Sequence, residues 1–255
     1  MVLRFVRQFG PAFFILLSLG AGYWYVSAKD IPFSAVDVIT ASYAHNNNLT
    51  GKGVSIAVVD EGFDKNHSLI QNNLSHFRYN GDFNDWDVSE SISYQDGKFV
   101  FASHGTHVSG IIAGEDSRIG VAPNATLIPV KMGVWGGDQS IVKSLQMAQK
   151  SPADIVNISM RLSNSGNYIN PNIKQALIDL AKSGKIIVIA AGNSGIPMAY
   201  SGYTRDIMDL AHDRRMKGRM VVVGATTYKD FTVTNPQNQC CLSYQSTQRL
   251  VLLLK

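Results

Sequence analysis

The sequence predicts an α/β fold of three layers, in which helices cover both faces of a mostly parallel β-sheet. Short runs of apolar and β-branched residues recur along the chain, as expected of strands that are buried on both faces. Segments with helical spacing lie between these runs, and alternating strands and helices form parallel β-α-β units. Of the 255 residues, 45% are hydrophobic and 16% are charged. This composition supports a sizeable core and excludes a disordered chain.

Charge and cysteine content exclude two further classes of protein. The chain carries 23 Lys and Arg against 19 Asp and Glu, a formal net charge of +4. This excess is small and is not gathered into the basic stripe of a nucleic-acid-binding protein. The two cysteines, Cys240 and Cys241, are adjacent, so they supply neither a disulfide framework nor a Cys-x-x-Cys metal site.

The first residues predict export. An uncharged run over residues 8–28 follows Arg4 and Arg7, is long enough to cross a bilayer, and has its positive flank on the N-terminal side. Tyr23, Trp24 and Tyr25 favour an uncleaved membrane anchor, since aromatic side chains gather at the bilayer interface. The small residues up to Ala28 instead favour a signal peptide that is cleaved there. Both interpretations place the rest of the chain outside the cytoplasm, either membrane-anchored or secreted.

The elements follow in chain order. Strands are predicted over residues 54–59, 125–131, 154–158, 186–191 and 220–224, and helices over 104–114, 140–149 and 172–183. Residues 81–101 are acidic without apolar periodicity and predict a long surface loop or a hairpin. A calcium site is possible there, but a solvated loop is favoured because no Asp-x-Asn-x-Asp-Gly pattern occurs. Residues 205–219 mix both charges and predict an exposed helix.

Three polar residues are predicted to lie at or near the carboxyl ends of the strands, where parallel sheets usually have their ligand-binding and catalytic residues. Asp60 ends the first predicted strand, His104 opens a predicted helix, and Asn193 lies in a glycine-flanked turn after the fourth strand. Each alone has an ordinary structural explanation, as a cap, loop or turn residue. Their shared location at one sheet edge favours a common functional site.

In the motifs that contain these three residues and in others, the chain resembles the subtilase family of serine endopeptidases over residues 41–227. The resemblance is carried by Gly-Lys-Gly-Val leading into the Asp60 strand, by His-Gly-Thr-His-Val-Ser-Gly at 104–110, and by Gly-Val-Ala-Pro-Asn-Ala at 120–125. Val-Asn-Ile-Ser-Met at 156–160 and Ala-Gly-Asn at 191–193 complete it. It implies a subtilisin-like fold, a polypeptide substrate and no obligatory cofactor, with calcium possible.

The resemblance also implies the role of each residue. Asp60 would orient His104, His104 would act as the general base, and Asn193 would donate to the oxyanion. The residues implied to bind substrate are Ser159, Met160 and Gly192. No metal ligand is implied. A metal site built from Asp60, His104 and His107 is a weaker alternative, since zinc requires further ligands.

The sequence departs from the family at the nucleophile. The family's Gly-Thr-Ser-Met-Ala run does not occur. Ser194 fails the Gly-x-Ser-x-Gly pattern because Ile196 replaces its last glycine, and Ser243 and Ser246 have no glycine turn beside them. The sequence therefore predicts a subtilase that is truncated or frame-disrupted before its catalytic serine, incomplete at the C-terminus, and inactive alone. The alternative is a non-catalytic pseudoprotease that binds peptides.

The predicted organisation has four parts. Residues 1–29 form the signal peptide or anchor, and residues 30–50 lead into the domain. Residues 51–234 form the N-terminal portion of a subtilase catalytic domain, and residues 235–255 form a divergent tail.

Overall fold

The structure is a computed structural model of the chain and describes residues 14–19, 22–27, 35–81, 87–90, 92–95, 98–101, 103–133, 137–163, 168–192 and 202–224. The strands are β1 (Phe14–Leu19), β2 (Gly22–Ser27), β3 (Ser55–Asp60), β4 (Tyr79–Asn80), β5 (Ile92–Gln95), β6 (Lys98–Phe101), β7 (Thr126–Lys131), β8 (Ile155–Ile158), β9 (Ile186–Ala190) and β10 (Met220–Val223). The helices are α1 (Ala35–Val38), α2 (Ala41–Asn46), α3 (His104–Ala113), α4 (Gly137–Lys150), α5 (Pro171–Lys182) and α6 (Gly202–His212), with 3₁₀ turns at Gln71–Asn73 and Arg214–Met216.

Six strands form one parallel sheet in the order β10-β9-β8-β3-β7-β4. The predicted parallel α/β fold is thereby confirmed, and the five predicted strands occur within one residue of their predicted limits. The two-residue strand β4 was not predicted, because a strand of that length has no periodicity to detect.

Alternation along β3 assigns each of its side chains to one of two cores. Ala57 and Val59 belong to a core formed with α4, α5 and α6. Ile56 and Val58 belong to a second core, which includes Ala113 of α3. Because successive side chains of a strand point to opposite faces, the next residue, Asp60, points to the face that α3 covers. The three layers place the last side chain of β3 on the same side of the sheet as the first residue of α3.

Helix α6 corrects the prediction of an exposed helix over residues 205–219. The helix begins at Gly202 and ends at His212, and a 3₁₀ turn follows it. Tyr203, Ile207 and Leu210 are at most 5% exposed and belong to the larger core. Their spacing of three to four residues gives α6 a buried apolar stripe, which the charged residues between them obscure in the sequence.

The acidic segment over residues 81–101 contains the predicted hairpin, since β5 and β6 pair antiparallel. The expectation of a surface loop is wrong for Val88, which lies shortly before the hairpin. Val88 is fully buried in the core beneath α3, because this segment folds back over the end of β3.

The apolar run at residues 8–28 includes β1 and β2, which pair antiparallel. No helix in the described ranges is long and apolar enough to cross a membrane. The predicted membrane anchor or signal peptide is not tested by these strands and stays a prediction.

Candidate active site

Asp60 is a buried carboxylate at the carboxyl end of the central strand β3. Its side chain has 0% exposure, and Oδ1 accepts a hydrogen bond of 2.8 Å from the backbone N–H of Glu61. Oδ2 is buried and has no hydrogen-bond partner in the part of the chain that the structure describes. A buried carboxylate is costly unless it is paired, so Asp60 favours a cationic or hydrogen-bond-donating neighbour.

His104 supplies that neighbour. Its Nδ1 lies 2.7 Å from Asp60 Oδ1, although 44 positions separate the two residues in sequence. Since the carboxylate accepts, Nδ1 carries the proton and donates. Nε2 then accepts in the neutral ring, and it has no hydrogen-bond partner among the described residues. The His104 side chain is 38% exposed, so Nε2 is the nitrogen left for a substrate or a reacting hydroxyl.

The environment raises the pKa of His104 above 6.5, chiefly through the hydrogen bond to Asp60. Partial burial lowers the pKa, and the charges of Asp60 and Glu61 raise it further. A histidine held in one tautomer with an elevated pKa is suited to accept a proton and return it during a reaction.

Gly105 allows α3 to approach β3 this closely. A Cβ added at Gly105 would lie 3.0 Å from Asp60 Cβ and closer still to the carbonyl oxygen of Gly62. The glycine of the predicted histidine motif therefore has a steric role next to the pair.

The remaining predicted site residues follow neighbouring strands. Ser159 and Met160 come directly after β8, and Gly192 lies two residues after β9 with φ +102°. Since β8 pairs with both β3 and β9 in parallel, these residues lie at the same sheet edge as Asp60. Asn193, the predicted oxyanion donor, lies outside the described residues. The substrate-binding and oxyanion roles stay predictions.

The geometry does not favour the metal site weighed from the sequence. His107 is exposed, whereas Asp60 is fully buried and its Oδ1 is bound by His104. No group of three or more His, Cys, Asp or Glu side chains within the described ranges is arranged to hold a metal ion.

Sequence reasoning missed three side chains that tie the elements around the pair together. Thr106 hydrogen-bonds Glu90, and the ammonium of Lys131 binds the carbonyl of Ser89. Thr106 lies within the histidine motif, which was a signal for its importance. No sequence pattern marks Glu90 or Lys131.

Comparison with known proteins identifies the family to which the chain is similar. A model of the Subtilase family matches residues 51–248. The Minor extracellular protease Vpr of Bacillus subtilis (strain 168) is 34% identical over 161 residues, which cover 62% of this chain and 20% of that protein. The Major intracellular serine protease of the same strain is 32% identical over 179 residues, covering 67% and 52%. Subtilisin E is 33% identical over 175 residues, covering 66% and 41%.

Among solved structures, a cold adapted subtilisin-like serine proteinase matches with a TM-score of 0.51 and 24% identity, covering 70% of this chain and 56% of that one. This likeness concerns the fold alone. The chain spans about half, or less, of the length of these curated relatives.

Proposed function

Because the chain belongs to the subtilase family of serine endopeptidases, we propose that His104 is the general base of a peptide-hydrolysing site and that Asp60 orients it. The observation that supports this most directly is the 2.7 Å contact between His104 Nδ1 and Asp60 Oδ1. It leaves Nε2 as the proton acceptor, the arrangement that serine peptidase chemistry requires.

In the proposed mechanism each residue has a separate task. Asp60 holds the ring in the tautomer with Nδ1 protonated and stabilises the imidazolium that forms during turnover. Nε2 of His104 takes the proton of a serine hydroxyl as that oxygen attacks the peptide carbonyl, and gives the proton to the leaving amine. The Asn193 side-chain N–H donates to the oxygen of the tetrahedral intermediate.

Substrate binding is proposed for the edge formed by the residues after β8 and β9. Ser159 and Met160 directly follow β8, the strand that pairs with β3, and a peptide in extended conformation would bind there by main-chain hydrogen bonds. Gly192 follows β9 at the same edge. This mode recognises any polypeptide backbone, so we propose a polypeptide substrate without further specificity.

The nucleophile is the missing part. Since the family's Gly-Thr-Ser-Met-Ala run does not occur in the 255 residues, we propose that this polypeptide alone does not hydrolyse peptides. The activity would require a serine that this sequence does not present. A chain that keeps the groove without the nucleophile can still bind peptides, which is the alternative function.

Three assays on the 255-residue chain test the proposal. A fluorophosphonate probe and a fluorogenic peptide should give no labelled serine and no turnover. A fluorescent extended peptide should still bind saturably, as measured by anisotropy. A labelled serine that disappears in His104→Ala would overturn the proposed inactivity. Absence of peptide binding would overturn the proposed groove.

Export is proposed from the apolar run at residues 8–28 and its basic flank. The relatives' names include both an extracellular and an intracellular protease. The proposal of export therefore rests on the apolar run and not on these names. An alkaline phosphatase fusion after residue 50 should be active outside the cytoplasm. Sequencing the N-terminus of the exported product distinguishes cleavage after Ala28 from an uncleaved anchor. An inactive fusion that stays in the cytoplasm would contradict export.

A further inference from the structure

A short segment, Asp87 to Glu90, passes over the carboxyl end of β3 and is called the clamp segment below. Val88 is fully buried in the core under α3, and its carbonyl accepts a 2.8 Å hydrogen bond from the N–H of Phe63. The carbonyl of Ser89 accepts a 2.7 Å hydrogen bond from the ammonium of Lys131. The clamp segment is therefore bound to the residues after β3 and to the end of β7.

Lys131 approaches from the strand next to Asp60. It is the register partner of Asp60 in the parallel pair of β3 and β7. It also shares a face with Leu127, four residues earlier in β7, which belongs to the core under α3. A lysine that is only 7% exposed is stable there because its ammonium binds the Ser89 carbonyl. The clamp segment is thus held on the side of the sheet that carries the Asp60–His104 pair.

Glu90 connects the clamp segment to α3. The Thr106 hydroxyl donates to Glu90 Oε1 over 2.6 Å and accepts a 2.8 Å hydrogen bond from the N–H of Asp64. A Cβ added at Gly62 would lie 2.8 Å from Glu90 Cα, so the Glu90 backbone also lies against the residues after Asp60. Hydrogen bonds to an ionised carboxylate are roughly twice as strong as neutral ones.

The first turn of α3 has no side-chain cap. Ser103 is its N-cap residue, and no described helix N–H is bonded by the Ser103 side chain. An uncapped helix start leaves backbone donors unsatisfied and frays. His104 is the first residue of this turn, and Thr106 lies two residues further in the same turn.

We propose that Glu90 is a positioning residue for His104, which acts by holding the first turn of α3 through Thr106 so that His104 stays against Asp60. The inference rests on the proposed function of the pair and adds a residue that lies outside the family's histidine motif. Without the Glu90 carboxylate, the turn is free to move away from β3 and the hydrogen bond to Asp60 lengthens.

The test follows the Nδ1 proton of His104 by NMR in the 255-residue chain, because a short N–H···O⁻ bond gives a proton signal far downfield. Glu90→Ala should lose this signal and move the His104 titration to lower pH. The nearly isosteric Thr106→Val should do the same. Glu90→Gln keeps an acceptor oxygen for Thr106 and should retain the signal.

Glu115→Ala is the matched control. Glu115 lies just beyond the other end of α3 and accepts hydrogen bonds from Asn72, so its removal should change neither the signal nor the titration. Far-UV circular dichroism shows which variants are folded, and Thr106→Val decides the question if Glu90→Ala does not fold.

The outcomes separate this inference from the proposed function. If folded Glu90→Ala or Thr106→Val gives the same downfield signal and the same His104 titration as the wild type, the positioning role of Glu90 is overturned. The proposed pairing of Asp60 and His104 is not affected by that result. A wild-type His104 that titrates at its ordinary pH, without a downfield proton, would overturn the pair itself.

Discussion

At the scale of single residues, the Asp60–His104 hydrogen bond links protonation to stability. It holds the pKa of His104 above 6.5, so the folded chain binds this proton more tightly than the unfolded chain does. The resulting stabilisation is fully present below pH 6.5 and is lost as the pH rises through the folded pKa. The contribution is modest, because the ring is 38% exposed and solvent screens the interaction.

This linkage predicts a difference between wild type and His104→Ala. The free energy of unfolding of the wild type minus that of the variant should decrease as the pH is raised from about 5.5 to about 8.5. Urea unfolding at both pH values measures it. A relative stability that rises with pH would mean that the fold lowers the pKa of His104, contrary to the observed contact.

Substituting alanine for each of two glycines in α3 is expected to change the stability of the fold in opposite directions. Gly105→Ala should destabilise the fold by about 1–3 kcal/mol, since overpacking forces neighbouring atoms apart and the nearest atoms belong to the backbone of Gly62 and to Asp60. Gly110→Ala is the control, because no described atom outside the backbone of α3 lies within 4 Å of its added Cβ.

Alanine at a helix interior is favoured over glycine by about 0.5–1 kcal/mol, so Gly110→Ala should be neutral or stabilising. Denaturant midpoints of the two variants measure the contrast. Equal effects at both positions would show that the close contact at Gly105 does not determine the packing of α3.

At the scale of elements, helix α6 shows how charge obscures an apolar stripe. Its charged residues predicted a solvent-exposed helix, yet Ile207 has 0% exposure. Asp206 binds Lys174 of α5 over 2.6 Å and the N–H of Ile169 over 2.8 Å. The acidic residue therefore joins α6 to α5, and the apolar stripe joins both to the sheet.

Ile207→Ala should consequently lower the free energy of unfolding by about 2–5 kcal/mol, the usual range for truncating a buried aliphatic side chain. Asp209→Ala, two positions further along α6 and exposed, is the matched control and should stay within about 0.5 kcal/mol of wild type. Chemical denaturation compares the two. A small loss in Ile207→Ala would favour the exposed helix that the sequence alone predicts.

Elements with a strong local pattern were predictable from the sequence, and contacts set by tertiary structure were not. The runs that became β3, β7, β8, β9 and β10 are apolar because both faces of the sheet are covered. Asp60 and His104 were identified from short motifs. The bond of Glu90 to Thr106 spans 16 positions, and that of Lys131 to Ser89 spans 42. Neither has a local signature.

At the scale of the whole molecule, the parallel sheet order creates the site. β3 lies between β7 and β8, so its carboxyl end is flanked by two strand ends and covered by α3 on one face. An aspartate at that point is buried by the fold itself, so water is kept from the Asp60 side of the Asp60–His104 bond, while the His104 ring stays partly exposed. The function proposed for this chain depends on that placement.

The most direct test is the NMR titration of His104 in the 255-residue chain, compared between wild type and Asp60→Asn. We expect a wild-type midpoint above the ordinary histidine value of 6.5 and a lower midpoint in Asp60→Asn, because the variant lacks the charge that stabilises the imidazolium. The pairing of the two residues would be contradicted if the wild-type midpoint lay at or below the ordinary value and if Asp60→Asn had the same midpoint.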